Sequence, residues 1–355
     1  MNTSRNRYAK TGLLAIAVAS LCVLGSGCSD DKSASSTSTA PGGQAASANA
    51  LNGAGATFPL IIYQKWFQEY KDKNGVEINY QGIGSGGGIK NITAHAVDFG
   101  ASDAPMSDDE MSKAPGIEHI PTVAGAVAVA YNVTGLPTGL KLTGPVIANI
   151  FAGKVKSWND PSIAALNPDA KLPAVDIIPV HRADGSGTTN IFTTYLTQVS
   201  PDWNSTIGKG KSVKWPGGAA AKGNQGVAAL IQQTNGAIGY VELAYADKNN
   251  MPYAVVQNSS GAFVKPTIES TTAAAAGVKL PADFREVITN TPAKDGYPIT
   301  GFTFLLVYQT GTRPEVKKFL QWALTDGEKD APANGYAPLP ANVQKQALAA
   351  VDKLR

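Results

Sequence analysis

From residue 51 onward, short apolar strands alternate with amphipathic helices, a pattern that restricts the chain to an α/β architecture. "PLIIYQKWFQEYKDK" (59–73) sets Ile62, Trp66 and Tyr70 on one helical face, with Pro59 suited to its first turn. Strands are predicted over 76–81, 97–102, 125–133, 237–243 and 301–308. Helices are predicted over 89–96, 146–153, 161–167, 227–233 and 314–325. The chain has 355 residues, 43% of them hydrophobic, enough for a sizeable core and two domains. It shows no internal repeat and no membrane-spanning segment after its leader.

Residues 1–28 read as an export signal. Arg5, Arg7 and Lys10 precede the apolar stretch "LLAIAVASLCVL" (13–24), and Gly25, Ser26 and Gly27 lead to Cys28. A cysteine directly after small residues resembles a bacterial lipoprotein cleavage site, at which that cysteine takes the lipid. Gly25 departs from the leucine usual there, so ordinary cleavage after Gly27 stays open. Residues 29–50 hold almost nothing large enough to bury and predict a flexible tether. Those three basic residues account for the formal net charge of +3, which leaves the body neutral, with no basic field to hold nucleic acid. Both cysteines, Cys22 and Cys28, lie in the leader, so the body has neither disulfides nor thiolate metal sites.

Four polar, glycine-rich clusters stand at predicted strand-to-helix junctions. "GAGATFP" (53–59) offers Thr57 as a helix cap. "GIGSGGG" (82–88) contains G-x-G-x-x-G, a weak dinucleotide signal that an anion-receptive helix start explains equally well. "DFGASDAPMSDDE" (98–110) ends a strand at Ser102-Asp103, where an aspartate could simply be a turn residue. "RADGSGT" (182–188) sets Arg182, Asp184, Ser186 and Thr188 around two glycines ahead of an apolar helical run, and Arg182 could be a structural partner of Asp184. "KGNQGV" (222–227) starts another helix and could cap it or contribute.

Enzymatic readings find little support in the residues. The three histidines, His95, His119 and His181, form no metal-binding spacing, and only His181 lies near a candidate nucleophile. The theme common to the clusters is hydroxyl, glycine and helix start, a set of neutral dipoles suited to an anion, with one arginine adding a charge-assisted contact. A carboxylate in such a site makes sense if the anion carries a proton. It accepts a hydrogen bond from monohydrogen or dihydrogen phosphate but meets only lone pairs on sulfate, which makes discrimination on the order of 10⁴ attainable.

"GAGATFP", "YQGIGSGGGIK", "VDFGASDAPMSDDE", "RADGSGTTNIFTTYL", "VKWPGG" with "KGNQGVAAL", and "GAIGYVE" closely resemble the phosphate-binding proteins of bacterial phosphate ABC importers, the PstS family, from about residue 52 to the C-terminus. The resemblance implies a two-lobed, type II-like periplasmic solute-binding fold with phosphate in the cleft between lobes. It implies lobe 1 over 51–122 plus 254–355 and lobe 2 over 123–253. Ala56, Thr57 and Phe58 would supply backbone donors and a hydroxyl, and Ser85 would do likewise. Asp103 would accept the phosphate proton. Arg182 would pair with phosphate oxygens, held by Asp184, and Ser186, Gly187 and Thr188 would complete the site. Gly86 and His181 depart from relatives, which often carry serine and arginine there. The implied protein is a non-catalytic monomer without cofactor or metal. It is exported to the periplasm or cell envelope and anchored by lipid at Cys28, and it delivers phosphate to the importer's permease subunits. An exported phosphatase or phosphate-transfer enzyme using Ser186 or Ser102 is the alternative from another class.

Overall fold

The computed structural model describes residues 50–355, so the signal segment, Cys28 and the tether up to residue 49 lie outside the described residues. In chain order the strands are β1 (Leu51–Gly55), β2 (Ile78–Gly82), β3 (Phe99–Ser102), β4 (Ile117–Asn132), β5 (Lys141–Leu142), β6 (Ile178–Arg182), β7 (Ala219–Ala221), β8 (Ala237–Glu242), β9 (Val255–Gln257), β10 (Phe263–Val264) and β11 (Thr300–Tyr308). Eight of them form one sheet in the order β2-β1-β3-β11-β4-β8-β6-β7, and β10-β9-β5 form a small second one. The parallel sets β2-β1-β3 and β8-β6-β7 flank an antiparallel centre made by β11 and β4.

The central strand β4 divides its pairing. It runs with β11 up to Ala126 and with β8 from Val127 onward, so one strand belongs to both halves of the sheet. It starts eight residues before the strand predicted from residue 125, even though Pro121 lies inside it. The register explains the proline: Phe304 faces Pro121 and Thr303 faces Val123, so Thr122 is the extra residue of a bulge, where a missing N–H is tolerated. The Thr122 hydroxyl lies 2.9 Å from that of Tyr63 and donates to the Thr303 carbonyl at 3.3 Å.

The first helix, Leu60–Asn74, buries Ile62, Tyr63, Trp66, Phe67 and Tyr70 and ends at Gly75 in the left-handed conformation. Its N-cap is Pro59, so Thr57 is not the cap that the sequence suggests. The glycine-rich stretch 82–88 does not remain a loop, because the helix Ser85–Thr93 begins within it. That early start needs glycine: a Cβ on Gly88 would stand 2.5 Å from the Ala101 carbonyl oxygen and 2.7 Å from the Gly55 Cα. The remaining predicted strands and helices are present with ends shifted by a few residues, while the helices Ile268–Ala275 and Ala341–Asp352 were not predicted. Among the described residues, no helix is long and apolar enough to cross a membrane.

Candidate anion-binding site

The carboxyl ends of β1, β2, β3, β6 and β7 carry the polar clusters, in the position where open α/β sheets bind ligands. Hydrogen bonds link the clusters into one buried network. The Ser85 hydroxyl accepts the Asp103 N–H at 3.2 Å and the Gly187 N–H at 3.0 Å, and it lies 3.4 Å from Asp103 Oδ2. Asp103 Oδ1 accepts from Thr303 at 2.9 Å. Arg182 makes a bidentate pair with Asp184, Nε to Oδ1 at 2.7 Å and Nη2 to Oδ2 at 2.5 Å, while its Nη1 donates to Thr188 Oγ1 at 3.4 Å. Ser186 caps the helix Gly187–Val199 by accepting the Thr189 N–H at 3.0 Å.

Thr57 stands at the same place from the opposite half of the sheet. Its Oγ1 accepts the Asn224 N–H at 3.1 Å and Asn224 Nδ2 at 3.0 Å, and Nδ2 also donates to Thr188 Oγ1 at 3.2 Å. Three tyrosines hold the neighbouring carbonyls: Tyr80 donates to Ala56 O at 2.7 Å, Tyr245 to Thr57 O at 2.5 Å and Tyr336 to Phe58 O at 2.7 Å. In a trans peptide the N–H points away from its carbonyl. Fixing the Ala56 and Thr57 carbonyls therefore turns the Thr57 and Phe58 amides to the other side. The Ala56 amide is committed to the Ala101 carbonyl at 3.0 Å, which leaves Thr57 and Phe58 as the donors of this segment.

The electrostatics are set by burial. Only 2% of the Arg182 side chain is exposed, so its charge requires a partner, and Asp184 supplies one. Burial alone would raise the Asp184 pKa, but the hydrogen bonds and charge of Arg182 and the Gly223 N–H outweigh it and hold the carboxyl below its ordinary value. Asp103 goes the other way. Burial raises it to about 7 against the Thr303 hydrogen bond, the Arg182 charge and the Ser85 hydrogen bond. The site thus holds one neutralised cation, a carboxylate poised near neutrality and a shell of hydroxyl and amide donors.

Approach between the halves is close. A Cβ on Gly187 would stand 2.6 Å from Asp103 Cβ, Asp103 Oδ2 and Ser85 Oγ. Gly187→Ala therefore overpacks this contact and is expected to weaken anion binding by about a hundredfold. Titration calorimetry checks this, and an unchanged affinity would remove the close approach from the account.

The sequence missed Thr303, the three tyrosines and the bridging role of Asn224, although "KGNQGV" pointed to that helix start. The histidines stand apart from the network. His119 accepts the Met106 N–H at 3.0 Å and burial lowers its pKa to about 4, His95 stacks on Tyr308, and His181 stacks on Trp215. Ser102 is engaged locally with Ala104. No group of three or more His, Cys, Asp or Glu able to hold a metal occurs among the described residues.

The fold, with its polar cleft between two halves joined by a shared strand, defines a two-lobed solute-binding protein, and the PBP superfamily domain model matches residues 36–327. A phosphate-binding protein PstS from Xylella fastidiosa is 43% identical over 317 residues, which cover 87% of each chain. Its counterpart from Haemophilus influenzae is 44% identical over 305 residues, 84% of this chain and 91% of the relative. The chain belongs to the PstS family of phosphate-binding proteins. The solved structure of a high-affinity periplasmic phosphate-binding protein bound with phosphate shares the fold, with a TM-score of 0.68 at 23% identity over 84% of this chain and 93% of that one.

Proposed function

We propose that this chain is a receptor that binds inorganic phosphate in the cleft, delivers it to the permease subunits of an inner-membrane ABC importer, and performs no chemistry on it. The observation that carries the reading is the pairing of a buried arginine, already balanced by Asp184, with a buried carboxylate at Asp103 among hydroxyl donors. Membership in the PstS family supports phosphate as the ligand and an importer as the destination. In this reading Thr57 and Phe58, flanked by Ala56, bind the anion from one side together with Ser85 and Asp103. Arg182, Ser186, Gly187 and Thr188 bind it from the other, with Asp184 orienting the guanidinium. The absence of any imidazole hydrogen-bonded to Ser85, Ser102 or Ser186 among the described residues favours binding over ester hydrolysis. Deleting the gene should abolish high-affinity phosphate uptake by the cell and reintroducing it should restore uptake; undiminished uptake would contradict the proposal.

In this reading lobe 1 comprises 51–122 plus 254–355 and lobe 2 comprises 123–253, and the change of β4's partner from β11 to β8 between Ala126 and Val127 supports a first crossing in that stretch. Closure would exclude water and strengthen each hydrogen bond, linking affinity to the shape a permease recognises. An ion pair also spans the two lobes, Lys211 Nζ to Glu110 at 2.7 Å, with side chains 19% and 26% exposed. The Lys211 carbonyl accepts the Ser186 N–H at 2.9 Å, which ties this pair to the anion loop. Lys211→Glu should speed phosphate release by about fivefold, and adding Glu110→Lys should restore it. Stopped-flow release rates test this, and equal rates in all three proteins would show that the ion pair does not hold phosphate in.

The leader supports export to the periplasm or envelope and lipid attachment at Cys28. Cells grown with labelled palmitate should mark the wild-type protein but not Cys28→Ser, and label on both or on neither would argue against lipid attachment at Cys28.

A further inference from the structure

We infer that Asn224 is a positioning residue that sets the direction of two hydroxyl protons and thereby makes Thr57 and Thr188 donors to the anion. The inference rests on the phosphate-receptor reading above. Asn224 is fully buried at the start of the helix Gly223–Gln233 and touches both sides of the cleft. Its orientation is fixed by the backbone: Oδ1 accepts the Glu242 N–H at 2.9 Å, and because an N–H can only donate, the amide nitrogen must face the hydroxyls.

Nδ2 then donates to Thr57 Oγ1 at 3.0 Å and to Thr188 Oγ1 at 3.2 Å. Each hydroxyl oxygen accepts a second N–H as well, from the Asn224 backbone at 3.1 Å for Thr57 and from Arg182 Nη1 at 3.4 Å for Thr188. With two N–H donors on each oxygen, both lone pairs are occupied and the single O–H proton must point elsewhere. Neither hydroxyl donates to a protein acceptor among the described residues. Both protons are thus free for a ligand that offers only acceptors, and one side chain orients a donor on each lobe.

Asn224→Asp isolates this role. One carboxylate oxygen keeps the Glu242 N–H, but the other can only accept, so the two threonines turn their protons toward it and away from the anion. Phosphate titrations of the full chain, with melting curves alongside, compare Asn224→Asp in the wild-type and Thr57→Val backgrounds. We expect about a hundredfold loss of affinity in the wild-type background and only about tenfold beside Thr57→Val, because part of the loss passes through the Thr57 hydroxyl. Equal fold-losses in the two backgrounds would mean that charge or structure alone acts, and would overturn the inference. So would an Asn224→Asp protein that binds phosphate like wild type. Should the aspartate prevent folding, Asn224→Ala carries the same cycle: about a tenfold loss that shrinks beside Thr57→Val supports the inference, and equal losses overturn it. A wild-type protein that binds no phosphate would overturn the receptor reading as well, which separates the two failures.

Discussion

Arg182→Ala is expected to weaken phosphate binding by roughly a thousandfold. The guanidinium is buried, and two of its nitrogens are engaged by Asp184. Its truncation removes the buried positive charge of the network and leaves the Asp184 carboxylate uncompensated beside an incoming anion. Removing one partner of a buried pair costs about 3–5 kcal/mol, roughly two to four decades in affinity. Arg182→Lys should recover only a part, because a single ammonium cannot engage both Asp184 oxygens and still reach the ligand. Adding Asp184→Asn to Arg182→Ala should recover another part by removing the stranded charge. Phosphate affinity of Arg182→Ala within tenfold of wild type would show that the arginine serves only the Asp184 pair.

Asp103→Asn should leave phosphate binding measurable while raising sulfate affinity relative to phosphate by about a hundredfold or more. The ionised carboxylate can only accept, so it welcomes a protonated oxyanion and leaves sulfate facing lone pairs and like charge. Its titration adds a pH signature. Burial raises the pKa to about 7, so the accepting form prevails above that value and the protonated form, which can donate, prevails below it. Sulfate rejection is therefore present on the alkaline side and lost as pH falls through about 7. Competition titrations should show wild type admitting sulfate progressively in acid, and Asp103→Asn admitting it at every pH. An unchanged phosphate-to-sulfate ratio in the variant would remove proton checking from Asp103.

Local signals made much of the site legible. Ser85, Asp103, Arg182 and Ser186 to Thr188 are polar residues beside glycines at the ends of apolar strands, and parallel strands carry such ends to one place. What could not be read locally depends on distant chain. Thr303 lies in an apolar run and reaches Asp103 only because β11, 200 residues on, pairs beside β3. Tyr245 and Tyr336 hold the carbonyls of Thr57 and Phe58 across 188 and 278 residues, and no pattern within a window of sequence contains those pairs. Pro121 hid the first half of β4, since its cost is relieved by a bulge that exists only in the paired sheet. The helix Ile268–Ala275, "IESTTAAA", escaped because alanine and threonine mark its buried face only weakly.

Thr57 joins the buried network for a reason its local sequence does not offer. Its hydroxyl suggested a cap, yet Pro59 occupies that position, and the hydroxyl instead accepts from Asn224 across the cleft. The glycine stretch 82–88 was ambiguous for a related reason: a dinucleotide loop and an anion-receptive helix start both need glycines that let backbone come close, and the helix beginning at Ser85 packs Gly88 against Ala101 and Gly55.

The most direct test of the account is calorimetric titration of the protein, first stripped of bound anion, with phosphate and then with sulfate at alkaline pH. Tight one-to-one binding of phosphate with no heat from sulfate is the predicted result. Equal affinity for the two anions, or silence toward both, would contradict a phosphate receptor built on Arg182 and Asp103.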